Sequence, residues 1–337
     1  MIDDIKKRCL IIAEAGVNHN GDIEIAKKLC LEAKKSGADV VKFQTWITDR
    51  IITKTVRQAD YQINNTGNNQ SQYQMLKKLE LTFEQFRKIK EYCDEIGIIF
   101  ASTADEIESL DFLVDLGISF IKLGSDQIGN IPFLRYVGGK KMPVIMSTGM
   151  STLADVEQSV MALRQGGTDD ITLLHCTTNY PCPFESVNLR AMDTLYNAFG
   201  YPVGYSDHTI GIEVPVAAVS RGALVIEKHF TLDKTMNGPD HIASTEPKEF
   251  KKMVSAIRNI EDALGNGRKI PENSEKTIST VVRKRIVANK RIEKDKIIDE
   301  NDICIKRNND GLFAGFWDLV VGSHAVKDFD IDEGIYF

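Results

Sequence analysis

The chain has 337 residues, 42% hydrophobic and 27% charged, with a formal net charge of −6. No apolar run approaches the roughly 20 residues that cross a bilayer, which argues against a membrane protein, and the acidic balance argues against a nucleic-acid partner. Six cysteines (Cys9, Cys30, Cys93, Cys176, Cys182, Cys304) are scattered without C-x-x-C spacing, which excludes a disulfide framework or a zinc ribbon.

The first ten residues, MIDDIKKRCL, lack a long apolar core and a cleavage site, so no secretory signal is expected. A cytoplasmic protein with reduced cysteines is expected. LIIAEAG (10–16) predicts a strand and 22–37 a helix. DVVKFQTW (39–46) predicts a second strand. A long polar segment follows, with NNTGNNQSQ (64–72) at its centre; it is too long for a tight turn and reads as a functional loop or lid. Thr82 with Glu84-Gln85 signals the cap of a helix over 82–97. Strands are then expected at 98–103, 120–125, 143–149 and 171–177, with helices at 105–117, 151–166 and 188–200 and a short one ending near Gly138.

Next come PVGYSDHTIG from Pro202, a helical run over 210–222, ALVIEKHF (223–230) and a last helix over 246–265. Many of these helices run out on a glycine, as left-handed caps favour. Eight strand–helix units in about 265 residues, with strands apolar on both faces, predict a (β/α)8 TIM barrel. After Gly265 the composition turns polar: 266–280 reads as a linker, and 281–337 as a small C-terminal domain of short β-prone runs. So small a tail is expected to lean on the barrel or on a second subunit.

In a barrel the chemistry sits at the C-terminal strand ends. All eight ends are polar, with charges set inside apolar runs: Glu14; Lys42 and Gln44; Ser102 and Thr103; Lys122 and Ser125; Ser147 and Thr148; His175 and Thr177; Ser206, Asp207 and His208; Glu227, Lys228 and His229. His208 and His229 fall at one end of neighbouring strands and could share a divalent transition metal. Lys42 and Lys122, with the hydroxyls of Thr103, Ser125, Ser147 and Ser206, suit a doubly anionic ligand such as a phosphate ester bearing a carboxylate. No phosphate loop or dinucleotide fingerprint follows a strand. An anion pocket beside a carbonyl-polarising metal suggests carbon–carbon bond formation with an aldehyde, with Glu14 as acid/base.

IIAEAGVNHNG, DVVKFQT, LLHCTTNYPCPFESVNLRAM, VGYSDHTIGIEVPVAAV, VIEKHFTLDKTMNGPDHIAS and a tail with KRNNDG make the chain resemble the sialic acid synthase family over nearly its whole length. The resemblance implies condensation of phosphoenolpyruvate with an N-acylated hexosamine. The leading expectation is N-acetylmannosamine giving N-acetylneuraminate; the alternative is an N,N'-diacetyllegionaminate synthase using a diacetamido-trideoxy sugar. It implies a barrel followed by an SAF (antifreeze-like) domain, a domain-swapped homodimer, and a divalent metal, manganese with magnesium or cobalt as options. Carried over residue by residue, His208 and His229 match the metal ligands and Glu14 the catalytic carboxylate. Lys42, Thr103, Lys122, Ser125, Ser147 and Ser206 match the phosphoenolpyruvate pocket, and Gln44, Tyr180, Asp240 and Arg307 the sugar contacts.

The sequence departs from the family pattern at STADE (102–106) in place of S-T-P-F, at GSDQ (124–127) in place of G-S-G-E, at Thr178 in place of an Asn, and in the loop after Arg307. Other readings are a different phosphoenolpyruvate-dependent 3-deoxy sugar-acid synthase, a sugar- or metal-binding barrel without activity, and an aldolase using Lys122 or Lys228 as a Schiff base.

Overall fold

The computed structural model describes residues 8–59, 62–63 and 70–337. Two compact units are present, Met1–Gly265 and Asn266–Phe337.

In the first unit eight strands pair in parallel and in order, and the eighth closes on the first. They are β1 Leu10–Gly16, β2 Val40–Thr45, β3 Ile99–Ala104, β4 Ile121–Leu123, β5 Val144–Ser147, β6 Ile171–Cys176, β7 Val203–Asp207 and β8 Val225–His229. The (β/α)8 barrel expected from the sequence is present. Helices pack outside it, among them Ile23–Lys35, Phe83–Ile96, Leu153–Gly166 and Pro247–Leu264. Thr82 caps Phe83–Ile96 as its sequence signals, in a capping box with Gln85. At Gly138 and Gly166 two helices cross so closely that a Cβ on Gly138 would stand 2.2 Å from the Leu163 carbonyl oxygen.

The two-residue period of a strand does the sorting that matters for function. One set of side chains points into the barrel. Its floor is apolar: Ile12, Val40, Ala101, Phe120, Ile145, Leu174 and Val225 form one buried cluster. Two residues further along each strand the same face carries Glu14, Lys42, Thr103, Lys122, Ser147, Cys176 and Glu227. The other set packs against the helices. Phe43, Phe100, Ile121, Met146, Leu173, Tyr205 and Ile226 belong to that outer core.

This alternation divides the polar strand ends. Ser102, His175, Asp207 and Lys228 stand on the outer face, not in the barrel mouth. Ser102 is hydrogen-bonded to Thr45 at 2.7 Å, His175 to the Val187 carbonyl at 2.7 Å, and Lys228 to Asp207 and to the Thr209 carbonyl. The expectation that all eight polar ends point at a ligand is corrected accordingly. Ser125 also lies beyond its strand, in a 3-10 turn at Ser125–Gln127 that follows the short β4.

Within the long polar segment, residues 64–69 of the expected lid lie outside the described residues. At its far end Ser71 caps the helix Gln72–Leu79 in a capping box with Gln74. The strand-poor composition there hid two short helices, Thr48–Ile51 and Gln72–Leu79.

The second unit has its own core of Ile286, Ala288, Ile292, Ile298, Ile303, Val320, Ala325, Phe329 and Ile335. Two antiparallel strands cross it, β9 Lys284–Ala288 and β10 Ile303–Arg307, with Arg307 opposite Lys284. The segment read as a linker carries a 3-10 turn at Asn273–Glu275 and the start of a helix, Lys276–Val282.

Candidate active site

The polar layer opens into a cavity of about 370 Å³ at the C-terminal end of the barrel. Of the residues nominated from the sequence, Glu14, Lys42, Gln44, Thr103, Lys122, Ser125, Ser147, Tyr180, Ser206, His208 and His229 all line it. Asp240 is buried behind His229, its carboxylate 4.0 Å from the imidazole Nδ1. Arg307 belongs to the second unit, where it is exposed.

Strand register explains the gathering. Glu14 sits beside Lys42 on β1 and β2, and beside His229 on β1 and β8; Ser206 sits beside Glu227 on β7 and β8. The Lys42 ammonium lies 2.6 Å from one Glu14 oxygen and 3.8 Å from Glu227, and donates to the Thr103 hydroxyl at 2.9 Å. The Lys122 ammonium lies 3.5 Å from Glu227 and donates to the Ser147 hydroxyl at 2.8 Å. Gln44 donates to the other Glu14 oxygen at 3.0 Å. The four charged side chains are buried.

Burial sets their proton affinities. It pushes Glu14 up to about 7, which the adjacent Lys42 only partly offsets. Burial works in the same direction on Glu227, but there Lys122 and Lys42 prevail and hold the carboxylate at about 2. Burial lowers the Lys122 ammonium. For Lys42 burial is outweighed by Glu14 and Glu227, which raise it.

The opposite wall holds the imidazoles. The rings of His208 and His229 are 5.5 Å apart, and the Tyr180 ring lies 4.2 Å from the first and 5.4 Å from the second. His208 donates from Nδ1 to the Thr177 carbonyl at 2.7 Å, which leaves Nε2 with its lone pair. Burial lowers both histidines, and the neighbouring His208 lowers His229 further. The Nδ1 of His229 is buried and has no hydrogen-bond partner among the described residues. Two neutral imidazoles, one tautomer-locked and one with an orphaned nitrogen, fit a transition-metal ion that keeps open positions. Among the described residues no set of three or more His, Cys, Asp or Glu is arranged to hold a metal, so the protein offers a pair.

Glu227 stands between both lysines, yet the sequence reading gave it only a place among the polar strand ends. The signal was available: it lies two residues from His229 and shares its strand face. Asp105, Asp126, Met150 and Thr178, from the segments that follow the strands, and Gln72, at the start of the helix Gln72–Leu79, also line the cavity, and the sequence does not disclose the course of these segments.

Residues 29–269 match the model of the NeuB family. The chain belongs to the NeuB family. It is 45% identical over 331 residues to the N,N'-diacetyllegionaminic acid synthase of Legionella pneumophila, covering 96% of this chain and 93% of the relative. It is 34% identical to the human N-acetylneuraminate-9-phosphate synthase, over 88% of this chain and 83% of the relative. Among solved structures, the N-acetylneuraminic acid synthetase of Leptospira borgpetersenii superposes with a TM-score of 0.70 at 33% identity, covering 80% of this chain and 90% of that one. As a NeuB-family chain this protein is an enzyme, a sugar-acid synthase built on the same barrel. Among the described residues no helix is long and apolar enough to cross a membrane.

Proposed function

We propose that this NeuB-family enzyme condenses phosphoenolpyruvate with an N-acylated hexosamine to form a nonulosonic acid and inorganic phosphate. The observation that carries this is one cavity with two buried lysines and donor hydroxyls on one wall and a neutral pair of imidazoles on the other. Lys42 and Lys122, with Thr103, Ser125, Ser147 and Ser206, bind the phosphate and carboxylate of phosphoenolpyruvate. The sugar aldehyde lies toward His208, His229 and Tyr180, with Gln44 and Asp240 as further sugar contacts. For Arg307 we retain the sugar-contact role that the resemblance implies, and for the chain a homodimer whose SAF-like tail is 281–337.

His208 and His229 would hold a divalent ion, manganese by resemblance, with magnesium or cobalt as alternatives. When bound, such an ion supplies Lewis-acid polarisation of the aldehyde oxygen. The chain's own groups do the rest. The lysines fix phosphoenolpyruvate with its methylene carbon toward the aldehyde carbon, and the carbon–carbon bond forms there. The aldehyde oxygen becomes a hydroxyl by taking a proton. Glu14, with a proton affinity near neutrality, is the group suited to hold that proton or to take one from the incoming water. Water adds at the carbon bearing phosphate, the carbon–oxygen bond to phosphate breaks, and a keto acid is left.

The acceptor has two readings. N-acetylmannosamine is the expectation from sequence motifs. The 45% identity to a legionaminic acid synthase, against 34% to the human enzyme, supports the diacetamido-trideoxy sugar as the second. The deciding assay is phosphate release from phosphoenolpyruvate with manganese present and either sugar as acceptor. Release with one of them supports the reading and names the product. Release with neither overturns it.

A further inference from the structure

The mouth of the cavity carries an acidic wall that the proposed reaction does not use. Asp105, just past the end of β3, and Asp126, in the turn after β4, both line the cavity. They are two of the positions at which STADE and GSDQ depart from the family pattern. Asp126 accepts from the Gln127 amide at 2.7 Å. No hydrogen bond or ion pair of the Asp105 carboxyl is formed among the described residues, and burial, with Asp126 adding to it, pushes its proton affinity well above the ordinary carboxylate range.

The charge count around them is one-sided. Lys42 and Lys122 are the lysines and arginines of the cavity lining, and both are engaged with Glu14 or Glu227. Asp105 also borders an outer groove with Arg50, Glu106 and Glu108, and there Arg50 is paired with Glu108 at 2.8 Å. Once phosphoenolpyruvate occupies the two lysines, a second anionic group entering here meets the exposed Asp126 carboxylate, while Asp105, whose proton is held by burial and by Asp126, ionises only at a cost, and among the described residues the lining of the barrel offers no further cation. An uncharged group with hydroxyl or amide N–H donors meets acceptors instead.

We propose that Asp105 and Asp126 select an uncharged, donor-rich acceptor sugar and reject its phosphorylated counterpart. This rests on the phosphoenolpyruvate-condensing reading above and adds what that reading leaves open. The relatives differ on this point by name, since the product of the human enzyme carries a 9-phosphate and that of the Legionella enzyme is named without one.

The test uses the full-length, manganese-loaded protein. With whichever uncharged sugar supports phosphate release, N-acetylmannosamine and N-acetylmannosamine 6-phosphate are each measured as substrate and as competitor. The phosphorylated sugar should be at least about tenfold weaker in the parent protein. The double variant Asp105→Asn/Asp126→Asn should bring the two within about threefold, and Asp105→Glu/Asp126→Glu should keep the gap. Asp126→Lys alone, at an exposed position, should favour the phosphorylated sugar. Equal use of both sugars by the parent, or an undiminished gap in the Asn variant, overturns the inference and leaves the reaction standing. Absence of turnover with every sugar overturns the reaction itself, and the selectivity falls with it.

Discussion

Replacing Lys228 with methionine tests whether strand alternation has been assigned correctly. Lys228 and Asp207 are 1% and 0% exposed and face each other on the outer side of β8 and β7, away from the cavity. Methionine fills the volume of the lysine stem but strands a carboxylate in the core. Breaking a buried pair by removing one partner costs about 3–5 kcal/mol. Asp207 keeps hydrogen bonds from the Thr209 amide at 3.0 Å and hydroxyl at 2.8 Å, which places the loss at the lower end. About 3 kcal/mol is more than a hundredfold in the unfolding equilibrium. Asp207→Asn/Lys228→Met removes the stranded charge while keeping an acceptor for Thr209, and should recover to within about 1 kcal/mol of the parent. The chain has two tryptophans, so a Trp317→Phe background leaves the buried Trp46 as sole reporter of barrel unfolding in urea. Parental stability for Lys228→Met, or no recovery in the double variant, would refute the outward placement of this pair.

Glu14→Gln should lower turnover by about a hundredfold or more while phosphoenolpyruvate affinity, read by calorimetry, stays within severalfold; near-parental turnover would remove Glu14 from the acid/base role. His208→Ala and His229→Ala should each abolish manganese-dependent turnover and weaken manganese binding by at least about tenfold. Full activity of either variant after chelation would dismiss the metal role. Arg307→Ala should raise the Michaelis constant for the sugar more than that for phosphoenolpyruvate, and the opposite order would refute the sugar contact. In the second unit, Asp302 is fully buried; hydrogen bonds from the Asp299 amide and from Lys296 and Lys290 overcome burial and hold its pKa at about 2. A depressed carboxylate stabilises the folded state above its unfolded pKa, so this contribution of about 2 kcal/mol is lost as the pH falls from roughly 4 to 2. Trp317 fluorescence should show that loss in the parent and little pH dependence over the same window in Asp302→Asn.

The barrel was legible because its strands are apolar on both faces and its helices are capped by recognisable residues, as at Thr82. The site was legible in part because Lys42, Lys122 and the two histidines stand at strand ends inside otherwise apolar runs. What the composition of a strand end does not disclose is which face a polar residue takes. Lys228 looked as available as Lys122, and only the register between β7 and β8 turns it outward to Asp207. Glu227 was overlooked for the converse reason: its importance is a property of two neighbouring strands, not of its own. Asp105 and Asp126 arrive on connecting segments and Gln72 on the first turn of a short helix, and the paths of such segments are set by tertiary packing that local sequence does not encode.

The lysines of the polar layer each have a carboxylate beside them. Lys42 leans on Glu14 and Glu227, and Lys122 on Glu227. The barrel can therefore fold without an orphaned buried cation, since each lysine has a glutamate beside it. A phosphate anion that enters must draw the ammonium groups toward itself, so the glutamates act as an internal competitor that limits how tightly it is held. As Lys42 turns to the newcomer, Glu14 loses the positive charge that favours its ionised form and gains a negative neighbour. Its hold on a proton then tightens. Under the proposed reaction, this couples the arrival of phosphoenolpyruvate to the proton that the sugar aldehyde requires.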